Sequence, residues 1–368
     1  MEEKLISIVI GTRPEAIKLS CLIKLIKNDN KFKLRIILTG QHEEMVSSVL
    51  DFFEIMPNIN FFAIKKSSNL TDSLSFILKS LNDDFTKNKP DFVIVQGDTT
   101  TALAGGLASF YNKIPFGHVE AGLRTESISE PFPEECNRRL ISQMASFHFA
   151  PTEKAKENLV FNNIKKNIYV TGNTVIDSLK YVINKNVELP KSKLKSHSKK
   201  FILATIHRRE NWGANLNNIA YALKEVINQN KELYLLIPLH PNKIVSNPIT
   251  KILGNHPRID LVQSLSYQEF IKVLNDCYFL LTDSGGLQEE SPSLDKPVLV
   301  LRNNSERLEA VESGAAKLIG NSYEKIVYET NNLINDKNLY LQMANAHNPF
   351  GDGHASKRIR DIIYDFFN

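Results

Sequence analysis

The stretch LISIVIGTRPEAIK, residues 5–18, indicates the fold class of this chain. Its first part is a short apolar run rich in β-branched residues, which is typical of a buried strand. The part that follows can start a helix, because Thr12 can cap it, Pro14 fits its first turn and Glu15 can reach back to the cap. A strand followed at once by a turn and a helix is the first half of a βαβ unit.

The same alternation of apolar runs and helical periodicity continues along the rest of the chain. Further runs lie at residues 34–38, 92–95, 114–119, 201–206, 233–239, 278–282 and 297–301. Strands that are apolar on both faces belong to parallel sheets covered by helices. The sequence therefore predicts an α/β chain of two doubly wound, Rossmann-like domains.

Length and composition indicate where these domains lie. With 368 residues, the chain is longer than the size at which a single core keeps growing. Residues 184–200 (NKNVELPKSKLKSHSKK) are rich in Lys and Ser and lack an apolar period, which is typical of a linker. We predict an N-terminal domain at 1–180, a C-terminal domain at 181–353, and a terminal helix at 354–368 that packs back on the first domain.

The net charge and the cysteine spacing indicate which classes of partner and which cellular compartment to expect. The formal charge is only +4, with 45 Lys and Arg interleaved with 41 acidic residues, so neither nucleic acid nor a membrane is indicated as a partner. Cys21, Cys136 and Cys277 lie far apart and form no CxxC pair, which is typical of small buried residues in a reducing compartment. The apolar stretch near the N-terminus is too short for a signal-peptide core. We therefore predict a cytoplasmic protein.

Acidic residues follow several of the predicted strands. Asp98 lies in QGDTTTALA, Glu120 lies in HVEAGLRT, and Glu134 with Glu135 opens a helix after a Pro-bounded loop. In open α/β sheets, ligands bind beyond the carboxyl ends of the strands. Like charges in one site raise at least one pKa, which is how a carboxyl group becomes a general acid near neutral pH. A turn or helix-cap role is the alternative for Asp98 or Glu120 taken singly.

Basic residues also follow strands. Arg13 stands above a predicted helix N-terminus with Lys18 about one turn further. A cation there opposes the helix dipole unless an anion is bound, so the pair suggests a phosphate-bearing ligand. In the second half, the residues that follow strands are His207, Arg208, Arg209 and His240. This basic cluster indicates an anion-facing site, with a hydrogen-bonded turn as the alternative.

The loop LLTDSGGLQEESPSLDKP, residues 280–297, gives the sharpest local signal. Gly285 and Gly286 follow a strand and precede a helical segment, where paired glycines let a diphosphate approach backbone N–H groups. A carboxylate one turn later, Glu289 or Glu290, can bind ribose hydroxyls. A plain double-glycine turn is the alternative.

Neither a metal nor NAD is indicated as a cofactor. None of the nine His residues forms an HExxH motif or lies near a Cys at metal-ligand spacing. The GxG at residues 351–353 lies in a polar loop with no strand before it, and no full GxGxxG occurs.

Eight blocks of sequence together resemble the non-hydrolysing UDP-N-acetylglucosamine (UDP-GlcNAc) 2-epimerase family. In chain order they are GTRPEAIK, QGDTTTALA, HVEAGLRT, PFPEECNRR, TGNTVIDSL, HRREN, LTDSGGLQEESPSL and HNPFGDGHAS. The resemblance runs from residue 11 to about residue 356. It implies the GT-B fold with a cleft between two domains, a homodimer, and interconversion of UDP-GlcNAc with UDP-N-acetylmannosamine (UDP-ManNAc).

The resemblance also implies roles for individual residues. The catalytic positions are Asp98, Glu120, Glu134 and His207, with His207 close to the diphosphate. The substrate-binding positions are Arg13, Lys18, Arg138, Ser284, Gly285, Gly286, Glu290 and Arg307.

The chemistry of the substrate agrees with this set of residues. The C2 proton of the sugar lies beside an acetal carbon, so simple deprotonation would leave an unstabilised carbanion. Elimination of UDP across C1 and C2 followed by re-addition avoids that species, and it needs acid and base groups together with a cationic grip on the diphosphate. The sequence leaves open which carboxylate removes the proton. The alternatives are an epimerase of a related UDP-acetamido sugar, a GT-B glycosyltransferase and a catalytically silent sugar-nucleotide sensor.

Regulation is where the sequence departs from the family pattern. Many family members are activated by a second UDP-GlcNAc, bound through a QxxQ pair, a later Arg, and the strand-end Arg and His, here Arg208 and His240. Gln41 matches the first glutamine, but Glu44 replaces the second, and KKSSNL at 65–70 offers Ser where the Arg is expected. An added carboxylate and a lost cation both disfavour a diphosphate. We therefore predict weak or absent homotropic activation.

Overall fold

The chain consists of two compact units. The computed structural model describes residues 3–40, 43–61, 69–188, 199–304 and 307–368. One unit is formed by Met1–Tyr181 together with Phe350–Asn368, and the other by Val182–Pro349. Most of the linker that we predicted at 184–200 falls outside the described residues.

The first unit is built on a parallel sheet. Its strands among the described residues are β1 (Lys4–Ile10), β2 (Phe32–Leu38), β3 (Ile59–Asn60), β4 (Phe92–Gln96), β5 (Phe116–Val119), β6 (Phe147–Ala150) and β7 (Ile168–Val170). They pair in parallel in the order β3-β2-β1-β4-β5-β6-β7. The central strands are buried on both faces, as in Ile6, Ser7 and Ile8 of β1, because helices cover the sheet on each side.

Helices follow the strands of this sheet in regular alternation. Within the described residues they are α1 (Arg13–Lys27), α2 (Glu43–Phe52), α3 (Leu70–Lys87), α4 (Thr100–Tyr111), α5 (Glu134–Met144), α6 (Glu153–Phe161) and α7 (Thr174–Asn184). Because β1 and β4 are neighbours while the chain runs outward from each, the strand order reverses between them. Such a reversal is the usual place for a ligand in an open α/β sheet.

The last helix of the chain belongs to the first unit. Helix α15 (Ala355–Phe366) packs against α1. Its N-terminus is capped from α7, because the buried Asp177 accepts hydrogen bonds from the backbone N–H groups of Ala355 (3.2 Å) and Ser356 (2.8 Å). This cap and the apolar face of α15 hold the C-terminal segment on the first unit.

The second unit repeats the same plan with a smaller sheet. Its described strands are β8 (Phe201–Thr205), β9 (Tyr234–Pro238), β10 (Ile259–Val262), β11 (Leu280–Thr282), β12 (Val298–Val300) and β13 (Ala316–Leu318). They pair in parallel in the order β10-β9-β8-β11-β12-β13, so the order reverses between β8 and β11.

Helices cover this sheet as well, and they enclose an aliphatic core. Those described are α8 (Ala214–Gln229), α9 (Lys243–Leu253), α10 (Tyr267–Asp276), α11 (Gly285–Glu290), α12 (Leu308–Glu312), α13 (Tyr323–Asn335) and α14 (Lys337–Ala344). The predicted class of two doubly wound α/β sheets is thereby confirmed.

Several short strands lie where the sequence analysis placed none. They are β3, β6, β10 and β13, each of two to four residues. Runs this short carry too little periodicity to stand out, and pairing with a neighbour decides their conformation.

The structure also bears on the predictions about a membrane partner and about the cysteines. None of the helices in the described part of the chain combines the length and apolarity needed to cross a membrane. The three cysteines are free, with Cys277 buried but Cys21 and Cys136 only partly so. Burial raises the pKa of Cys21 and Cys277 to about 12.

Candidate active site

The turn after β1 is organised by a buried carboxylate. Glu15 is fully buried, and its Oε2 accepts hydrogen bonds from the N–H groups of Gly11 (2.9 Å) and Thr12 (2.6 Å). The predicted reach of Glu15 back to the helix cap is thus confirmed. Its Oε1 accepts from the hydroxyl of Thr99 (2.6 Å) in the turn after β4, so one side chain joins the two turns at the strand-order reversal. Burial raises the pKa of Glu15, and these hydrogen bonds offset that effect only in part.

Asp98 lies in the turn after β4 and forms an ion pair with helix α5. The Nε and Nη2 of Arg138 lie 2.8 and 2.6 Å from Asp98 Oδ2. The side-chain amide of Asn137 also donates to the Asp98 carbonyl oxygen at 2.8 Å. Helix α5 therefore holds both the backbone and the carboxylate of Asp98. The sequence analysis had assigned Arg138 to the substrate, and the structure gives it this protein partner.

Glu120 follows β5 in an unusual backbone conformation. Its φ of 63° lies in the left-handed region, which is uncommon for a residue other than glycine. Residues held in such conformations cluster at functional sites. Lys18 lies 2.5 Å from Glu120 Oε2, and Gln96 donates to the same oxygen. Lys18, on α1, and Glu120, after β5, thus form a largely buried ion pair between two positions that are distant in sequence.

Glu134 and Glu135 are neighbours with different environments. Glu134 is partly exposed at the first position of α5. Within the described part of the chain, its carboxyl group has no hydrogen-bonding or ionic partner. Glu135 is fully buried, and it pairs with Arg138 (3.2 Å) and Arg139 (2.8 Å).

In the second unit, a buried aspartate orients the strand-end histidine. Asp283, directly after β11, is fully buried and accepts from the N–H groups of His207 and Arg208 and from the Asn211 amide at 2.9 to 3.1 Å. The Nδ1 of His207 lies 3.1 Å from Asp283 Oδ1. Burial opposes ionisation of Asp283, but these hydrogen bonds outweigh it, so its pKa lies below the ordinary value.

This arrangement fixes the tautomer of His207. A carboxylate can only accept, so the His207 Nδ1 carries a proton and the Nε2 is the nitrogen presented to a ligand. The ring lies nearly parallel to that of His240, with centroids 6.3 Å apart. Burial and the neighbouring His207 lower the pKa of His240.

The glycine loop after β11 starts helix α11 at the predicted place. Ser284 is the N-cap residue, and its N–H donates to the Thr282 hydroxyl at 2.9 Å. A Cβ built on Gly286 would meet no atom within 4 Å, so open space lies beside that residue. Arg307 donates to the buried Glu289, whereas Glu290, the predicted ribose ligand, is partly exposed.

Some of the predicted catalytic and anion-binding residues fall at the strand-order reversals of their own sheets. Asp98 and Arg13 follow the neighbouring strands β4 and β1, and His207 and Ser284 follow β8 and β11. The sequence analysis predicted the capping contact of Glu15 but not its contact with Thr99, and it did not identify the supporting roles of Glu135 and Asp283. For Asp283 there was a signal, since it directly follows a predicted strand.

The structure describes only some of the residues predicted to bind a regulatory ligand. Gln41 and residues 65–68 lie outside the described residues, as does the side chain of Glu44, so of the regulatory positions only Arg208 and His240 are placed. Among the described residues, no group of three or more His, Cys, Asp and Glu side chains is arranged to hold a metal ion.

The fold and these strand-end groups define the class of protein. Two doubly wound parallel sheets that carry acidic, basic and glycine-rich turns at their reversals are typical of enzymes that bind nucleotide-type ligands. The family described as UDP-N-acetylglucosamine 2-epimerase matches residues 24–364. The chain belongs to this family, as the resemblance in its sequence predicted.

Proteins similar to this chain align with it over almost its whole length. A UDP-N-acetylglucosamine 2-epimerase from Yersinia pestis is 44% identical over 360 residues, which cover 95% of this chain and 96% of that protein. A crystal structure of UDP-GlcNAc 2-epimerase from Neisseria meningitidis bound to UDP-GlcNAc superposes with a TM-score of 0.90 and 41% sequence identity. The match covers 98% of this chain and 100% of that chain. The S. aureus MnaA–UDP co-structure is 43% identical, with a TM-score of 0.91 and coverage of 99% and 97%.

Proposed function

We propose that this chain interconverts UDP-GlcNAc and UDP-ManNAc by the non-hydrolysing route. The observation that carries the proposal is the set of three carboxyl groups, Asp98, Glu120 and Glu134, on the loops and helix that follow β4 and β5. Membership of the UDP-GlcNAc 2-epimerase family supports the substrate, as does the N. meningitidis relative bound to UDP-GlcNAc.

The proposed reaction has two half-steps in each direction. One group removes the C2 proton while the bond from C1 to the diphosphate oxygen breaks, and UDP leaves with that electron pair. The product is a 2-acetamidoglucal. UDP then adds back at C1 while a second group delivers a proton to C2 from the opposite face. Proton transfer of this kind by positioned side chains is the ordinary work of carboxyl groups.

The three carboxyl groups differ in how they are held, which suits them to different tasks. Asp98 and Glu120 are each paired with a cation, Arg138 and Lys18 respectively. Glu134 has no such partner in the part of the chain that the structure describes. Two of the carboxyl groups are thus fixed by ion pairs, and the third has no such partner. The sugar is therefore offered acid and base groups of unlike character, as epimerisation requires.

The diphosphate and nucleoside fall to the remaining predicted residues. In our proposal the diphosphate is bound by Arg13, by the Nε2–H of a protonated His207 and by the Ser284–Gly286 turn. Glu290 binds the ribose, and Arg307, oriented by Glu289, adds positive charge. A positively charged environment stabilises the departing UDP, because negative charge develops on it as the C1–O bond breaks.

We also propose that the chain forms a homodimer, which light scattering would test, and that it is located in the cytoplasm.

A single labelling experiment tests the proposed function. The purified chain is incubated with UDP-GlcNAc in D₂O, without added metal, NAD or acceptor, and the C2 position is followed by NMR. We expect UDP-ManNAc that carries deuterium at C2. Product that retains the original hydrogen would contradict the elimination route, and absence of turnover until an acceptor is supplied would favour a glycosyltransferase. The Asp98→Asn variant serves as the matched control.

A further inference from the structure

One fully buried acidic group near Asp98 has no part in the proposed reaction. Glu135 is 0% exposed at the second position of α5. Its Oε1 accepts from Arg139 Nε at 2.8 Å, and its Oε2 accepts from Arg138 Nη1 at 3.2 Å and from the Thr125 N–H at 3.1 Å. A charge buried this deeply is tolerated only when its partners satisfy it, and here two guanidinium groups and a backbone N–H do so.

The Arg138 side chain connects this buried carboxylate to Asp98. Its Nη1 faces Glu135, while its Nε and Nη2 both face Asp98 Oδ2, at 2.8 and 2.6 Å. The guanidinium is planar and rigid, so anchoring one nitrogen fixes the direction of the other two. The Arg138 side chain is only 12% exposed, so few other orientations are open to it.

Arg139 offers a contrast on the same helix. It pairs with the other oxygen of Glu135 and donates to the Thr125 carbonyl at 3.2 Å, but neither its ion pairs nor its hydrogen bonds include Asp98. The two arginines therefore share one buried partner, and only Arg138 links it to a proposed catalytic group.

We propose that Glu135 is a positioning residue that acts on Asp98 through Arg138. Glu135, Arg138 and Asp98 form an ion-pair series. In it, Glu135 holds the guanidinium of Arg138 in the orientation that fixes the Asp98 carboxylate toward the sugar. Glu135 does not itself touch the substrate. The proposal rests on the proposed function for the part of Asp98 in catalysis, but the contact series itself can be tested without turnover.

The kinetic test compares Glu135→Gln with Arg139→Gln. We expect Glu135→Gln to lower kcat by roughly 10- to 100-fold, because a small displacement of a reacting group is costly. The KM for UDP-GlcNAc should stay within about threefold, since binding contacts common to ground and transition state are kept. Arg139→Gln removes an ion pair from the same buried carboxylate but should keep kcat. Equal losses in both variants would reduce Glu135 to a residue that only stabilises the fold.

Non-additivity gives a readout that a purely structural role would not produce. If Glu135 acts through Asp98, then adding Glu135→Gln to an Asp98→Asn background should cost little further activity. Multiplied losses in the double variant would overturn the proposal. Should Glu135→Gln fail to fold, Arg138→Lys tests the same series, because a lysine keeps the charge but cannot hold both carboxylates in a fixed fork.

The spectroscopic test separates this proposal from the proposed function. The side-chain carboxyl carbon of Asp98, labelled with ¹³C and assigned by its loss in Asp98→Asn, should shift in Glu135→Gln and in Arg138→Lys but not in Arg139→Gln. An unmoved Asp98 signal in Glu135→Gln would refute the ion-pair series even in an active enzyme. Absence of epimerisation in the unmodified chain, with the expected shifts present, would refute the proposed function instead.

Discussion

The two strand-order reversals of this chain use the same topology for groups of opposite charge. At the β1/β4 reversal the start of α1 carries Glu15 and the turn after β4 carries Asp98, whose carboxylate is held by a cation from a neighbouring helix. At the β8/β11 reversal the outward group is the imidazole of His207, and it is held by the buried carboxylate of Asp283. In both cases a group of opposite charge, shielded for the most part from solvent, orients the group that we propose faces the ligand.

This difference agrees with a division of tasks between the units. A carboxylate kept in place by an arginine is suited to moving protons at a sugar carbon. An imidazole whose Nδ1–H is committed to an aspartate is suited to binding phosphate oxygens when the ring is protonated, because its Nε2–H then donates to them. The comparison therefore predicts that changes to the three carboxyl groups of the first unit act chiefly on kcat. Loss of a phosphate-binding cation such as Arg13 should instead act on affinity.

The largest effects are expected from the carboxyl groups of the first unit. Changing Asp98, Glu120 or Glu134 to its amide should lower kcat by roughly 10²- to 10⁴-fold, the usual scale for a lost general acid or base. Steady-state kinetics measure the loss, and calorimetry with UDP checks that nucleotide binding persists. An amide variant with near-normal kcat would return that residue to a turn or capping role.

A smaller loss is expected when the second unit loses its orienting carboxylate. Asp283→Asn should reduce kcat by about 10²-fold, the low end of the scale for acid–base catalysis, because His207 can then adopt the wrong tautomer or rotate. The measurement is kcat for UDP-GlcNAc, and His207→Asn is the reference. If Asp283→Asn retained full activity while His207→Asn did not, orientation by Asp283 would be unimportant.

Affinity rather than turnover should change when Arg13 is truncated. We expect Arg13→Ala to weaken UDP binding by about 1.5 to 3 kcal/mol, the range for a hydrogen bond to a charged group. That loss corresponds to roughly a 10- to 150-fold rise in Kd, which calorimetry resolves readily. Unchanged UDP affinity would show that Arg13 does not bind the phosphate.

Acid should destabilise the second unit through Asp283. Since the pKa of Asp283 is lowered in the folded chain, its bonds contribute fully above the unfolded value of about 3.9 and are lost as the pH falls through the lower folded value. Asp283→Asn should therefore flatten the pH dependence of the free energy of unfolding below about pH 4. Urea titrations followed by the fluorescence of Trp212, whose indole N–H faces the His207 carbonyl at 3.4 Å, report this directly. Parallel pH profiles would contradict the assignment.

The smallest expected departure from simple behaviour concerns regulation. Because Glu44 stands where the family pattern has a glutamine and Ser67 and Ser68 where it has an arginine, we expect near-hyperbolic kinetics in UDP-GlcNAc, with a Hill coefficient of about 1. Conversion of UDP-ManNAc should then need no priming. A sigmoidal rate curve, or a reverse reaction that is silent until trace UDP-GlcNAc is added, would show that a second site survives.

The elements that sequence analysis could predict are those with local causes. The βα unit at residues 5–18 was predictable because its strand, cap and first turn are neighbours in sequence, and the Glu15 contact with Thr12 spans only three residues. The turns after strands 92–95 and 201–206 were predictable for the same reason. Runs as short as β3 and β13 were not, since their conformation depends on the strand beside them.

By itself, the amino-acid sequence determined the α/β class, the alternation of strands and helices and the residue types at the strand ends, because short-range periodicity and capping encode all three. Only the tertiary structure decided which charges meet: Lys18 with Glu120 across 102 residues, Arg138 with Asp98 across 40, and His207 with Asp283 across 76. Such pairs have no local signature. They form because parallel strands bring their carboxyl ends to one edge of a sheet, where a buried charge is stable only beside a partner of opposite sign.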